Sequence, residues 1–255
     1  MNLTDTHCHL YSEEFATDVD AMIARAEIEQ VTKFYLPAID SGTHNAMLML
    51  EEKYPGKCIA MMGLHPCSVK ADYLSELALV EAWLAKRQFS AVGEIGLDYY
   101  WDKTFAAEQK DAFSTQMQWA LHYQLPVVIH TRNAMADTIT AVREFADKGL
   151  KGIFHCFSGT IEDAEAITAM GFYLGIGGVL TYKNSGIDKV VEKIGIEHLV
   201  LETDAPYLSP VPFRGKRNES SYIKYVADKL AAIKNITVDE VAAITTANAE
   251  KIFGM

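Results

Sequence analysis

Thr4-Asp5-Thr6-His7-Cys8-His9 is the stretch on which the reading of this chain turns. It leaves no room for a helix before it, and His7 and His9 stand two residues apart. In an extended strand, residues i and i+2 point to one face. Two imidazoles on one face make a metal-binding pair. A lone His-x-His is weak, since histidines end strands for many reasons. It gains force only if ligand-type residues also end other strands.

They do. Short β-rich runs at residues 2–6, 33–37, 58–63, 91–94, 127–130, 152–155, 172–176 and 199–203 alternate with amphipathic stretches. Most of these runs are continuously apolar, as strands buried on both faces of a parallel sheet are. Residues 13–30, 73–87, 106–124, 135–148, 161–170, 222–234 and 238–253 have helical patterns. Thr160 with Asp163, and Thr237 with Glu240, have capping-box spacing. Gly149, Gly171, Gly195 and Gly254 follow helical runs, where a terminating glycine is expected.

The strand ends fall at His9, Pro37, His65, Glu94, His130, His155, Gly177 and Asp204, about 28 residues apart on average, which fits repeated βα units. Eight such units in 255 residues predict an α/β protein, a (β/α)8 TIM barrel with an additional C-terminal helix. No linker or composition shift divides the chain, so residues 1–255 are expected to be a single domain. The competing fold is an open doubly wound sheet. It would place a glycine-rich phosphate loop after the first strand, and His7-Cys8-His9-Leu10 is not one.

Composition narrows the function classes. The chain is 49% hydrophobic and 22% charged, ordinary for a soluble protein with a large core. No basic-then-apolar leader opens it, and no apolar run approaches the ~20 residues of a membrane helix. Four cysteines without a CxxC pair fit a reducing compartment, so a cytoplasmic protein with no membrane association is expected. A net charge of −11 disfavours broad coating of duplex DNA but leaves room for a small basic site that accepts a strand end.

The C-terminal strand ends of a closed barrel share one mouth. His7, His9, Glu94, His130, His155 and Asp204 are therefore a candidate metal centre. Glu202 shares a face with Asp204 and is expected to orient a ligand or to pair with His65. Alternation turns Cys8 and Cys156 away from the centre, toward the helices. Positive charge is scarce, so Arg132 just past His130, and Arg214, Lys216 and Arg217 in the loop after Asp204, are candidate phosphate contacts. Tyr99, Trp101, Tyr182 and Tyr207 near the mouth suit either base stacking or packing. Asp98 follows Glu94 and is expected to shape a loop.

The motifs Asp5-Thr6-His7-Cys8-His9, Gly63-Leu64-His65-Pro66, Gly93-Glu94-Ile95-Gly96-Leu97-Asp98-Tyr99, Val128-Ile129-His130-Thr131-Arg132, His155-Cys156-Phe157-Ser158-Gly159 and Glu202-Thr203-Asp204-Ala205-Pro206-Tyr207-Leu208, in this order, resemble the TatD family of metal-dependent deoxyribonucleases within the amidohydrolase-like barrels. The resemblance implies that His7, His9 and Asp204 hold one divalent cation, His130 and His155 a second, and that Glu94 bridges them. Carboxylate chemistry by itself leaves the bridge to Glu94 or Asp204, because an imidazole offers one nitrogen to one metal while a carboxylate can span two cations ~3.5–4 Å apart. The resemblance gives His65 a substrate-side or supporting role. It implies hydrolysis of DNA phosphodiesters by a metal-activated water, with Asp204 as ligand and general base, on single strands or strand ends, without an obligate protein partner. Magnesium, zinc and manganese all suit the ligand set. Where the family usually has a histidine and a proline, this chain has Phe213 and Ser220. The other function classes are an amidohydrolase, lactonase or small phosphoesterase using the same metals, and a non-catalytic metal-stabilised scaffold. A modified lysine bridges the metals in many amidohydrolase relatives; here the matching strand end carries Glu94.

Overall fold

The computed structural model describes residues 2–254. Among the described residues there are eight strands: β1 (Leu3–Asp5), β2 (Val31–Pro37), β3 (Cys58–Met61), β4 (Val92–Asp98), β5 (Val127–Arg132), β6 (Gly152–Phe154), β7 (Tyr173–Ile176) and β8 (Leu199–Leu201). The helices are α1 (Val19–Ile28), α2 (Ser41–Lys53), α3 (Tyr73–Lys86), α4 (Ala106–Tyr123), α5 (Met135–Ala146), α6 (Ile161–Ala169), α7 (Ile187–Lys193), α8 (Ile223–Lys234) and α9 (Val238–Phe253). Neighbouring strands pair in parallel, in chain order, as a three-stranded ladder β1-β2-β3 and a five-stranded ladder β4 to β8.

Backbone hydrogen bonds cross both gaps between the ladders. Beside β3, Gly93 N donates to Met62 O (3.0 Å) and Met62 N to Ala91 O (3.2 Å). Beside β1, Thr6 N donates to Leu201 O (3.1 Å), Asp204 N to His7 O (2.9 Å) and His9 N to Ala205 O (2.7 Å). The strands thus follow one another round a ring, the expected (β/α)8 arrangement.

The interior is layered. Tyr35, Met61, Ala91, Val128, Ile153, Tyr173 and Val200 form one buried apolar cluster. Two residues further along come His130 on β5, and His155 and Glu202 just past the ends of β6 and β8. An apolar floor and a polar upper storey are therefore consecutive layers of one barrel. The additional helix α9 seals the floor: Ala249, Ile252 and Phe253 join the apolar cluster, and the Phe253 ring stacks on Tyr35 at 3.8 Å. Both capping boxes read from the sequence, Thr160–Asp163 and Thr237–Glu240, are present. No helix among the described residues is long and apolar enough to cross a membrane.

Several elements differ from the sequence-based expectation. The helix expected over 13–30 is a 3-10 turn, Glu13–Phe15, followed by α1, because Phe15 is fully buried and Asp18 is drawn out of the helix by Arg25 and Arg217. Strand β4 runs on past Glu94, since Gly96, Leu97 and Asp98 keep pairing with His130, Thr131 and Arg132. Asp98 therefore lies in a strand and not on a loop. The helical pattern at 222 starts as a 3-10 turn, Ser220–Tyr222. Helices α2 and α7 are not among the stretches expected from the sequence; α2 starts with a capping box made by Asp40 and Thr43.

Replacing Phe253 with alanine should lower unfolding free energy by about 3 kcal/mol in urea titration, the usual cost of removing a buried aromatic ring. Metal affinity should not change, because the floor and the ligand layer are different storeys. A loss below ~1 kcal/mol would show that α9 does not hold the floor.

Candidate metal centre

Glu94, 2% exposed, lies among five imidazoles. Its Oε2 is 3.1 Å from His7 Nε2 and 3.7 Å from His9 Nε2. Its Oε1 is 2.9 Å from His155 Nε2, 2.9 Å from His130 Nδ1 and 3.2 Å from His65 Nε2. One carboxylate thus divides the histidines into two sets, one per oxygen. Asp204 stands with the first set, its Oδ1 3.6 Å from His9 Nε2 and 3.9 Å from His7 Nε2. Among the described residues, three overlapping groups have ligand atoms close enough together that they could hold an ion: His7 with His155 and Asp204, His7 with His9 and Glu94, and His65 with Glu94 and His130. All six candidate ligands read from the sequence come together, and His65 joins them.

The far nitrogen of each ring decides which near nitrogen has a lone pair to offer. Tyr11 OH donates to Pro37 O at 2.5 Å, so at 2.8 Å it accepts from His9 Nδ1–H, leaving a lone pair on His9 Nε2. Asp98 Oδ2 accepts from His130 Nε2–H at 2.9 Å, leaving the Nδ1 lone pair facing Glu94. Glu202 Oε1 is 3.4 Å from His155 Nδ1, close enough to pair electrostatically though not aligned as a hydrogen bond. His65 is the reverse case. Its Nδ1 accepts from Cys67 N–H at 3.0 Å, so a neutral ring carries its proton on Nε2 and donates toward Glu94. Proximity alone groups His65 with the ligands; its protonation removes it from them.

The same logic tests whether cations fit. With these tautomers, His9 and His130 turn lone pairs toward carboxylate oxygens that also bear only lone pairs. Such acceptor-to-acceptor contacts are repulsive unless a cation or proton lies between them. Mixed imidazole and carboxylate donors suit a divalent first-row metal. The pKa values of the metal-free protein agree. Burial opposes charge on His155, yet Glu94 and Glu202 outweigh it and push that ring well up. Burial also opposes charge on Glu94, but His155, His65 and His7 hold it well below the usual carboxylate range. His7 is pushed down by burial and by His155, whose ring stacks on it at 3.7 Å.

The surrounding chain fixes this geometry. Helix α4 reaches the strand ends with two glutamines: Gln116 binds Leu64 N and O (2.7 and 3.2 Å), and Gln109 binds Asp98 N and O (2.9 and 3.1 Å). Asp5, fully buried, accepts from Thr203 N, Thr203 Oγ1 and Ser220 Oγ (2.9, 2.6 and 2.7 Å), pinning the His7 strand to the Asp204 strand. Ser220 is thereby given a structural task. A Cβ on Gly175 would lie 2.2 Å from Glu202 Oε2, so only glycine leaves space for that carboxylate. Asp204 has φ +57, a left-handed conformation that non-glycine residues seldom take and that here sits at the site.

The other sequence expectations divide. Glu202 approaches His155 and accepts from Cys156 N at 2.5 Å; it orients a candidate ligand and is not paired with His65. Cys8 is buried, its thiol toward Tyr35 O at 3.6 Å, as alternation requires. Cys156 lies past the end of β6 with φ +46, so strand alternation does not reach it. Arg132 stacks over Tyr100 and Trp101, and Arg214 over Tyr182. Arg217 is instead turned back onto Asp18 at 2.7 and 2.8 Å, and does not serve as a phosphate contact. Phe213 packs flat on Tyr222 at 4.1 Å. Tyr11 and Asp98 are the functional residues that sequence reasoning missed. Asp98 lies four residues after Glu94 in the same strand, and that parity was the available signal; Tyr11 lies in the turn after β1, where no strand parity applies.

The family described as TatD related DNase matches residues 4–254. A Bacillus subtilis relative described as an uncharacterized metal-dependent hydrolase, YabD, is 40% identical, the alignment covering 98% of each chain. A 3'-5' ssDNA/RNA exonuclease TatD from a Pantoea species is 32% identical, again over 98% of each. The crystal structure of a TatD homologue from Escherichia coli, YjjV, superposes with TM-score 0.94 at 30% identity, covering 99% of this chain and 98% of that one.

Replacing Tyr11 with phenylalanine removes the partner of His9 Nδ1 and little volume. Metal affinity measured by competition with a chromogenic chelator should fall about 10- to 100-fold, with the fold unchanged by circular dichroism. Unaltered affinity would contradict the tautomer assigned to His9.

Proposed function

The chain belongs to the TatD-related DNase family of metal-dependent hydrolases, and from that premise we propose that it hydrolyses phosphodiester bonds of DNA at single strands or strand ends, using two divalent cations held at the barrel mouth. The observation that carries this reading is the division of Glu94: one oxygen faces His7 and His9, the other His130 and His155. In the proposal His7, His9 and Asp204 would hold one cation, His130 and His155 would hold the other, and Glu94 would serve both. Bound divalent cations acidify water and neutralise charge on a phosphoryl oxygen.

This chain's residues supply the remainder. Asp204, with 14% of its side chain exposed against 3% for Glu94, is the more open of the two carboxylates and takes the proton of the attacking water. Burial opposes its ionisation, but His9 and the neighbouring imidazoles hold its pKa below the usual carboxylate range, so it is the base form that is present at neutral pH. His65 turns a proton-bearing nitrogen toward the centre and is suited to donate to a phosphoryl oxygen. Glu202 and Asp98 keep His155 and His130 oriented through their outer nitrogens. Arg132 and Arg214 receive the flanking phosphates. The nucleic-acid substrate is the class named for the Pantoea relative.

Protein supplied with zinc, manganese or magnesium should cleave a short single-stranded oligonucleotide, and should cleave it faster than a panel of carboxylic esters, lactones and amides. Turnover of the panel alone would replace this reading with that of an amidohydrolase or lactonase. The Asp204→Asn protein should lose most of its turnover under the same conditions; full activity with metals retained would remove Asp204 as the base.

A further inference from the structure

Past the end of β4 the chain exposes two large rings. Tyr100 is 52% and Trp101 68% exposed, and they meet edge to face at 4.9 Å. The Arg132 guanidinium lies over both, 3.7 Å from the centre of the Tyr100 ring and 5.1 Å from that of Trp101. Among the described residues it has no carboxylate partner, in a chain of net charge −11. Arg25, Arg87 and Arg217, in contrast, each pair with an acid. Tyr99 does not share this exposure: it is half-buried and donates to Asp137 at 3.0 Å.

The platform is tied to the metal centre by one carboxylate. Asp98 Oδ1 accepts from Tyr100 N at 2.9 Å and Trp101 N at 3.2 Å, which fixes the turn that presents the rings. Asp98 Oδ2 accepts from His130 Nε2 at 2.9 Å. Arg132 is opposite Asp98 in the β4–β5 ladder and two residues beyond His130. The rings, the cation and a candidate ligand therefore share one rigid frame. An exposed π-face beside an unpaired guanidinium matches a nucleobase followed by its phosphate. In a duplex the base faces are already stacked on their neighbours, so only an unpaired base is available to such a surface.

We propose that Tyr100, Trp101 and Arg132 form a subsite for one unpaired nucleobase and its phosphate, set beside the metal centre by Asp98. The proposal deepens the reading of the centre as a phosphodiesterase and assigns it single-strand preference. Trp101 supplies the stacking face, and Arg132 holds the phosphate with its donor edge while stacked on Tyr100.

The test measures binding alone, by fluorescence anisotropy in EDTA, so no turnover intervenes. The probes are a labelled oligothymidylate, a sugar-phosphate oligomer of equal length lacking bases, and a duplex. The unaltered protein should bind the oligothymidylate more tightly than either of the others. Trp101→Ala should weaken oligothymidylate binding about ten-fold and leave the base-free oligomer unchanged. Trp101→Phe should restore part of that loss, while Arg132→Gln should weaken both single-stranded probes. Equal effects of Trp101→Ala on both, no effect on either, or equal binding of all three probes by the unaltered protein would overturn the subsite. If these results hold and the metal-loaded protein cleaves no DNA, the hydrolytic reading fails and the subsite stands. Cleavage with no role for Trp101 gives the converse.

Discussion

Everything at the barrel mouth depends on one buried carboxylate having two different sides. Glu94 is nearly inaccessible, and water cannot stabilise its charge. Its stabilisation comes from imidazoles on each oxygen, and those imidazoles come from β5 and the segments that follow β1, β3 and β6. A carboxylate in this position cannot be satisfied by local sequence. It requires the two ends of the barrel wall to meet, which the hydrogen bonds between Thr6, His7, His9 and the β8 end accomplish.

The cost of crowding these groups shows in their pKa directions: Glu94 and Glu202 push His155 up against its burial, while burial and the stacked His155 ring push His7 down. The outer nitrogens separate His65 from three of the other rings: Tyr11, Asp98 and Glu202 stand behind His9, His130 and His155, whereas a backbone N–H stands behind His65. A geometric cluster of nitrogens and oxygens does not make this distinction; hydrogen-bond direction does.

Much of the architecture was legible in the sequence because the barrel imposes two simple periods. Parity within a strand put His130 two residues above Val128 and His155 two above Ile153, so apolar and ligand layers could be read together. The spacing of strand ends gave the number of units. What could not be read were the contacts made across the fold. Asp98 was placed on a loop because β4 was ended at Glu94; its continuation depends on pairing with β5, which leaves no mark within the stretch itself. Arg217 looked like a phosphate contact until Asp18, nearly two hundred residues away, claimed it. The break in the helix before α1 has the same origin.

The central claim is that Glu94 is shared by two cations. Isothermal titration of chelator-stripped protein with manganese measures this most directly. Two ions per chain are expected for the unaltered protein, and Glu94→Gln should weaken both together. A single ion per chain, or a Glu94→Gln protein in which only one of two ions is weakened, would contradict it.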